Sequence, residues 1–211
     1  MTFCVAQRNP DTGDLGIAVA SKYLAVGSIV PYARAEVGVV ATQFFANPLF
    51  GPRGLDLLER GVAAAEVLNT LLADDEHRVR RQLVVMDAAG EVACVTGIAC
   101  LSWAGHMHGS GYACSGNTLA GEEVVSACRD VLLRQEGELW DRLVQALAAG
   151  QAAGGDRSGQ QSASLLVVRA SGGYGGYTDR LIDLRVDDHS APIAELERIL
   201  GIWKLEREHA P

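Results

Sequence analysis

Cysteine and histidine are the residue types in this chain that most readily carry covalent or metal chemistry. The five cysteines are Cys4, Cys94, Cys100, Cys114 and Cys128. Their odd number and irregular spacing, with no C-x-x-C pair, predict reduced and mostly buried thiols, although Cys4 and Cys114 are alternative nucleophiles. His106 and His108 lie close to Cys100 and could bind a metal, but no pair has structural-zinc spacing. Histidines that face water in a glycine-rich loop are the favoured interpretation, so we predict no metal.

The sequence lacks the motifs of several common enzyme classes. It has no G-x-S-x-G nucleophile elbow, no Walker loop and no complete G-x-G-x-x-G. Serine-hydrolase, nucleotide and dinucleotide sites therefore lose support, and we predict no cofactor. Arg53 could hold a substrate carboxylate through two parallel hydrogen bonds. The alternative is an ordinary arginine in water at the start of a helix.

Composition and charge argue against several classes of partner. Hydrophobic residues make up 48% and charged residues 21% of the 211 residues, as in an ordinary globular chain. The net charge of -8 and the aromatic content of 6% disfavour nucleic acid and anionic membranes as partners. No apolar run reaches the roughly 18–20 residues of a membrane span. The start, MTFCVAQRN, has neither a basic nor a long apolar region, so we expect a cytoplasmic protein.

Strands and paired helices must position these residues. The predicted strands are apolar runs bounded by turn residues, at 2–8, 15–21, 27–34, 37–45, 82–87, 91–98, 112–115, 162–169 and 177–186. The predicted helices have apolar residues at helical spacing, at 52–61, 62–74, 122–135, 138–149 and from 190 onward.

The strands FCVA, GIAVA, GVVATQFF, QLVVM, EVACV and ASLLVV are apolar on both faces. Such strands usually belong to parallel sheets, but a parallel crossover needs a dozen or more residues, and these connections are short turns. Two stacked antiparallel sheets, each covered outside by helices, satisfy both facts. We therefore predict an α+β fold, a four-layer α-β-β-α sandwich, with residues 1–211 forming one domain.

The order of these elements resembles that of the N-terminal-nucleophile (Ntn) hydrolases, which include the proteasome β subunits. More specific stretches are TFCVAQRNPDTGDLGIAVASKYLAVGSIVPYARA, TQFFANPLFGPRGL, GNTLAG and AAGGDRSGQQSASLLVV. They resemble a small bacterial family within that superfamily. That family is a domain of unknown function, often labelled fimbrial assembly protein.

The resemblance implies that Thr2 is the nucleophile of an amidohydrolase acting on a small amide or peptide-like substrate. In the superfamily the first residue after processing attacks an amide carbonyl, and its own α-amine takes the proton. A hydroxyl needs such a base, and an α-amine with a pKa of about 7.7–8.0 supplies one. The small side chain of Thr2 favours removal of Met1. The alternative is that Thr2 only begins an edge strand.

The resemblance also implies the rest of the site by position. The implied catalytic residues are Thr2, Ser21, Lys22, Ser115, Asn117, Asp156 and Ser162, and the implied substrate-binding residues are Gln43, Asn47 and Arg53. Lys22 would stabilise the alkoxide, and groups between 41 and 47 would bind the oxyanion. Asp156 could instead be an ordinary turn residue, and Asn117 could cap the helix at 122–135.

Two functions from different classes therefore stay open. The first is the amidohydrolase, which the resemblance further implies to be a homo-oligomer. The second is a non-catalytic binding or assembly module that retains the same fold. Removal of Met1 would favour the first, and its complete retention would favour the second.

Overall fold

The computed structural model describes residues 1–208, and its strands form two antiparallel sheets. The strands are β1 (Thr2–Arg8), β2 (Leu15–Ser21), β3 (Pro31–Arg34), β4 (Gly38–Phe44), β5 (Arg81–Asp87), β6 (Val92–Thr96), β7 (Trp103–Gly109), β8 (Tyr112–Leu119), β9 (Ser162–Val168) and β10 (Arg180–Val186). Sheet A has the order β10-β9-β2-β1-β8-β7, and sheet B has the order β3-β4-β5-β6. Each neighbouring pair of strands is antiparallel, as the short turns predicted.

The helices come in pairs between the strands, with one more at the end. They are α1 (Phe50–Glu59), α2 (Ala64–Leu72), α3 (Glu122–Arg134), α4 (Leu139–Ala152) and α5 (Pro192–Glu208). Within residues 1–208, no helix is both long enough and apolar enough to cross a membrane.

Three clusters of buried side chains define the layers. The first lies between the sheets, where Ile17 and Val19 of sheet A share a cluster with Met86 of sheet B. The second joins the outer face of sheet A to α3, α4 and α5. The third joins the outer face of sheet B to α1 and α2. The predicted four-layer α-β-β-α sandwich is confirmed.

Two predicted elements were wrong in detail. The strand expected at 27–34 is instead a 3-10 turn at Val26–Ser28 followed by β3. The chain passes so close to β9 there that a Cβ on Gly27 would lie 2.6 Å from Ser164 Cβ. The glycine-rich stretch expected to be a loop forms β7, and β8 runs on to Leu119, because the two pair with each other.

A buried ion pair fastens the loop before β5 to the rest of sheet B. Arg81 Nε and Nη2 donate to the two oxygens of Asp75 at 2.6 and 2.9 Å. Arg81 also donates to the Phe45 carbonyl, and its guanidinium lies 5.1 Å from the Phe45 ring centre. The hydrogen bonds from Arg81 hold the pKa of the Asp75 carboxyl below its usual range. The pair therefore fixes both the loop and the backbone at Phe45.

We expect this pair to stabilise the fold at neutral pH but not in acid. Asp75 has a lower pKa in the folded chain than its unfolded value of about 3.9. Its contribution is therefore complete above that value and is lost as the pH falls through the folded pKa. Asp75→Asn should lower the free energy of unfolding by about 3 kcal/mol at pH 7, because it leaves Arg81 buried without a charged partner.

Urea unfolding of the wild type and of Asp75→Asn measures this difference, which should shrink below pH 4. Asp130→Asn is the control, because Asp130 forms an exposed pair with Arg129 and should cost less than about 1 kcal/mol. A difference that stays constant from pH 7 to pH 3 would contradict the prediction.

Candidate active site

Four polar side chains form a row across sheet A, at one end of the space between the sheets. Thr2 lies opposite Ser21 on β2 and opposite Asn117 on β8, and Ser21 lies opposite Ser162 on β9. Opposed residues in antiparallel strands project from the same face. Cys4, the next residue of β1 on that face, belongs to the core between the sheets, so the row points there too. All four side chains are buried.

The row excludes two of the alternative interpretations. β1 lies between β2 and β8, so the expectation that Thr2 merely begins an edge strand is wrong. Asn117 lies inside β8, and Gly121 occupies the N-cap of α3, so the helix-cap role of Asn117 is also wrong.

Sheet B supplies a second polar row that faces the first. Gln43, Gln82 and Thr96 lie opposite one another on β4, β5 and β6. The amide nitrogen of the fully buried Gln82 donates to Thr96 Oγ1 at 2.9 Å and to the carbonyls of Gly105 and Gly116 at 3.1 and 2.8 Å. Gln82 therefore bridges the two sheets.

The bonding of Gln82 fixes the orientation of its neighbours. Backbone carbonyls can only accept, so the NH₂ group of Gln82 must face them and its Oε1 must face the other way. That oxygen accepts from Gln43 Nε2 at 2.8 Å and from Asn117 Nδ2 at 2.9 Å. Asn117 Oδ1 is thereby turned toward the start of the chain, where it accepts from the Met1 α-ammonium.

A β-bulge in β8 sets the direction of Asn117. Between Gly116 and Leu119, β8 carries one residue more than β7. Thr118 absorbs the extra length with a φ of 60°, which is uncommon for a β-branched residue. The bulge turns Leu119 to the outer face of sheet A while Asn117 stays between the sheets. Local backbone strain is thus concentrated beside the polar row.

The hydroxyl groups of Thr2 and Ser21 converge on one carbonyl oxygen. Thr2 Oγ1 donates to Met1 O at 2.6 Å, and Ser21 Oγ donates to the same oxygen at 2.5 Å. The two hydroxyl oxygens lie 3.0 Å apart. Two donors aimed at one carbonyl oxygen form the kind of geometry that can stabilise an oxyanion.

A cavity of about 440 Å³ opens beside these hydroxyls. Its lining residues are Met1, Thr2, Ser21, Tyr23, Val26, Ile29, Val30, Gln43, Phe44, Phe45, Ala46 and Pro48. Phe44 has a positive φ of 65°, and the Phe45 ring lies 4.2 Å from the Arg80 guanidinium carbon. The cavity therefore has a mostly apolar lining with one wall held in a strained conformation.

Asp156 lies buried near the α-ammonium. Its Oδ1 accepts from the Ser158 backbone amide at 2.8 Å, as a turn residue would, but its buried Oδ2 has no hydrogen-bond partner among residues 1–208. Burial raises the pKa of the Asp156 carboxyl, and the Ser158 amide and the N-terminal charge oppose that shift. Burial likewise lowers the pKa of the Met1 ammonium, while the charges of Asp156 and Cys100 act against it. This environment favours the neutral forms of both groups.

Ser162, at the end of the row, and Ser115, beside it, both have structural partners. Ser115 Oγ accepts from Gln43 Nε2 at 3.0 Å and lies 3.4 Å from Cys4 Sγ. Ser162 Oγ accepts from the Val26 amide at 3.0 Å and also donates to a carbonyl in the loop after β2. The Ser162 hydroxyl therefore fastens that loop.

Lys22, Asn47 and Arg53 are not brought into the cluster. Lys22 lies in the bend just past the end of β2; it is exposed and its ammonium donates to the Gln160 carbonyl at 3.2 Å. The Asn47 side chain accepts from the Leu49 amide at 3.2 Å, which stabilises the turn before α1. Arg53 is exposed on α1.

The cysteines are poorly suited to nucleophilic attack. Burial raises the pKa of the Cys4 thiol to about 11 and that of Cys114 well above its usual range. Thiolate is the reactive form, so little of it is present at neutral pH. Cys114 also packs on the outer face of sheet A, away from the polar rows.

The histidines lie on β7, not in a loop. His106 Nδ1 is 2.9 Å from Thr96 Oγ1, and the rings of His106 and His108 are 5.9 Å apart. In the described residues, 1–208, no group of three or more His, Cys, Asp or Glu side chains is arranged to hold a metal ion.

Gln82, Thr96 and His106 extend the site beyond the residues expected from sequence. Gln82 carries the only sequence signal among them, because it is a polar residue at the start of the apolar strand QLVVM. Thr96 and His106 carry no such signal, because their positions depend on the pairing of β6 with β5 and of β7 with β8.

The chain is similar to one protein family and to solved structures. Residues 2–196 match the profile of a family described as "Family of unknown function (DUF1028)". A crystal structure of protein SPO2555 from Silicibacter pomeroyi, described as a DUF1028 protein, is 29% identical with a TM-score of 0.87, over 95% of this chain and 84% of that chain. Anbu (ancestral beta-subunit) from Yersinia bercovieri is 12% identical over 99% and 98% of the two chains, and its TM-score of 0.39 is too low to support a conclusion. No curated protein matches.

Proposed function

The chain belongs to the DUF1028 family, and from that premise we propose that it is an N-terminal-nucleophile amidohydrolase in which Thr2 attacks a small amide or peptide substrate. The observation that carries the proposal is the position of the Thr2 hydroxyl. It is buried beside a cavity of about 440 Å³ and lies 3.0 Å from Ser21 Oγ, at the start of a central strand. Cleavage of the bond between Met1 and Thr2 would turn the Thr2 nitrogen into a free α-amine.

The proposed reaction begins once Met1 has been removed. The Thr2 α-amine takes the hydroxyl proton, Thr2 Oγ1 bonds to the substrate carbonyl carbon, and the carbonyl oxygen becomes an oxyanion. Collapse of this intermediate breaks the C–N bond, and the proton passes from the amine to the leaving nitrogen. Water then hydrolyses the ester on Thr2 and restores the hydroxyl. An α-amine ordinarily has a pKa of about 7.7–8.0, so a substantial fraction is in the base form near pH 7–8.

Ser21 has a supporting role in this proposal. Its hydroxyl donates to the carbonyl oxygen bonded next to Thr2, so it is placed to donate to the oxyanion of a substrate.

A non-catalytic binding module is the second candidate, and one observation favours it. With Met1 in place, the Thr2 nitrogen is part of a peptide bond and its hydroxyl donates to Met1 O. A chain that keeps Met1 has no amine base at Thr2, yet it retains the cavity.

Intact mass and covalent labelling distinguish the two functions. Protein produced at native levels should have lost Met1, and a β-lactone probe should label Thr2 in peptide mapping. The labelling rate should rise with pH through the pKa of the amine, because only the free base accepts the proton. Complete retention of Met1, or labelling at a residue other than Thr2, would refute the amidohydrolase.

Ser21→Ala and Lys22→Ala form a matched pair of adjacent variants. Loss of one oxyanion donor typically costs about 10²–10³ in rate, so Ser21→Ala should label that much more slowly. Lys22→Ala should label within about twofold of wild type, because the Lys22 ammonium is exposed and bonded to a backbone carbonyl. Thermal melts of both variants separate lost reactivity from lost folding. The reverse order of effects would assign the donor role to Lys22.

A further inference from the structure

Met1 lies in the site in the way an aminoacyl group would. Met1 lines the cavity, its carbonyl oxygen accepts from the hydroxyls of Thr2 and Ser21, and its α-ammonium donates to Asn117 Oδ1. The carbonyl and the amine thus have separate hydrogen-bond partners, and the residue borders the cavity. The Thr2 nitrogen and Oγ1 are attached to adjacent carbons, so an acyl group carried on Oγ1 would occupy nearly the same space as Met1.

The cavity selects against charged side chains. Its lining has polar side chains only at Thr2, Ser21, Gln43 and the Tyr23 hydroxyl, and among the described residues no aspartate, glutamate, lysine or arginine lines it. A charged group placed there would lose part of its water without gaining a partner of opposite charge. The volume of about 440 Å³ lies toward the low end of the roughly 300–1,000 Å³ typical of small-ligand sites. A medium or large apolar side chain fits this chemistry.

The part of the site that contacts the Met1 α-amine is polar, unlike the cavity. Asn117 is fully buried, and its donation to Gln82 Oε1 leaves only its acceptor oxygen for the amine. An acylated nitrogen would have to fit its acyl group beside this buried amide. The site is therefore built for a free α-amine.

We propose that the space vacated by Met1 binds the acyl half of the substrate, and that this half is an α-amino acid residue with a free α-amine and an uncharged apolar side chain. This inference rests on the amidohydrolase proposed above. The bond broken is the amide on the carboxyl side of that residue. Its carbonyl carbon passes to Thr2 Oγ1 and then to water, releasing an amine and a free amino acid.

A panel of p-nitroanilides tests the inference on protein whose mass shows that Met1 is absent. Methionyl, leucyl and phenylalanyl p-nitroanilides carry a free amine and an apolar side chain. N-acetyl-leucyl p-nitroanilide lacks the free amine, and lysyl and glutamyl p-nitroanilides carry a charge. We expect kcat/KM for the methionyl, leucyl and phenylalanyl compounds to exceed that for each of the other three by about 10–100-fold. Each of the other three either lacks the free amine or places a charge in the apolar cavity.

Every other outcome contradicts a specific part of the inference. Equal or faster cleavage of the N-acetyl compound overturns the amine contact, and faster cleavage of a charged compound overturns the apolar cavity. No cleavage of any compound, with Thr2 still labelled by the β-lactone, overturns the inference and leaves the amidohydrolase standing. No cleavage and no labelling overturns both.

A specificity variant provides a second readout. Ile29 lines the cavity and is half-buried, so Ile29→Glu places a carboxylate where a substrate side chain would lie. The ratio of leucyl to lysyl cleavage should fall by about tenfold or more. Ile98→Glu is the control, because Ile98 is 94% exposed and does not line the cavity, and its ratio should not change. An unchanged ratio in a folded Ile29→Glu would contradict the placement of the substrate.

Discussion

Thr2→Ala is expected to abolish covalent labelling and amide turnover while the chain still folds. Removing the nucleophile of a hydrolase costs about 10⁴–10⁶ in kcat, so a loss of at least 10³-fold should be measurable. Alanine is also small, so it should permit removal of Met1 and leave a free amine at residue 2. The folded state loses only the hydrogen bonds of one hydroxyl, a cost of about 1 kcal/mol or a fall of about 2–4 °C in Tm.

Two further variants sharpen this test. Thr2→Ser keeps both the hydroxyl and the amine, so it should retain labelling at a reduced rate. Thr70→Ala makes the same substitution on the exposed surface of α2 and should label like wild type. Full activity of Thr2→Ala, once a substrate is known, would remove the mechanism, whatever the Tm.

The fold was predictable because its strands carry an unusual combination of signals. The run GIAVA is apolar on both faces, yet a short turn joins it to FCVA, and only stacked antiparallel sheets reconcile these facts. The stretch that forms β7 was not predicted, because Gly105 and Gly109 lower its strand propensity and its residues are only partly buried. Pairing with β8 outweighs that local preference.

The positions of the candidate site residues depend on strand register, which a single sequence gives only in part. A single sequence predicts that β2 ends at Ser21, but it does not show which way Lys22 turns after the strand ends. The family resemblance implied that Thr2 and Asn117 share a site, but the residues alone could not show that they pair, because β1 and β8 are more than a hundred residues apart. The bulge at Thr118 also lies beyond sequence reasoning, because threonine rarely adopts a positive φ.

Gln82→Leu is expected to be the most destabilising substitution in the polar rows. The Gln82 amide donates to three acceptors and accepts from Gln43 and Asn117, all in the interior between the sheets. Leucine fills a similar volume but leaves the Asn117 amide and the Gly116 carbonyl without this partner. Each buried group left unpaired costs about 1–3 kcal/mol, so a total of about 3 kcal/mol or more is expected.

For a chain of this length, such a loss corresponds to a fall of about 6–12 °C in Tm. Gln145→Leu is the matched control, because Gln145 is exposed on α4 and leucine is an equally good helix former. Its Tm should shift by less than about 2 °C. Gln82→Leu should also slow cleavage of leucyl p-nitroanilide, because Asn117 is no longer held with its oxygen toward the substrate amine. A Gln82→Leu chain with wild-type Tm and wild-type kcat/KM for leucyl p-nitroanilide would show that the bridge between the two sheets contributes neither stability nor orientation.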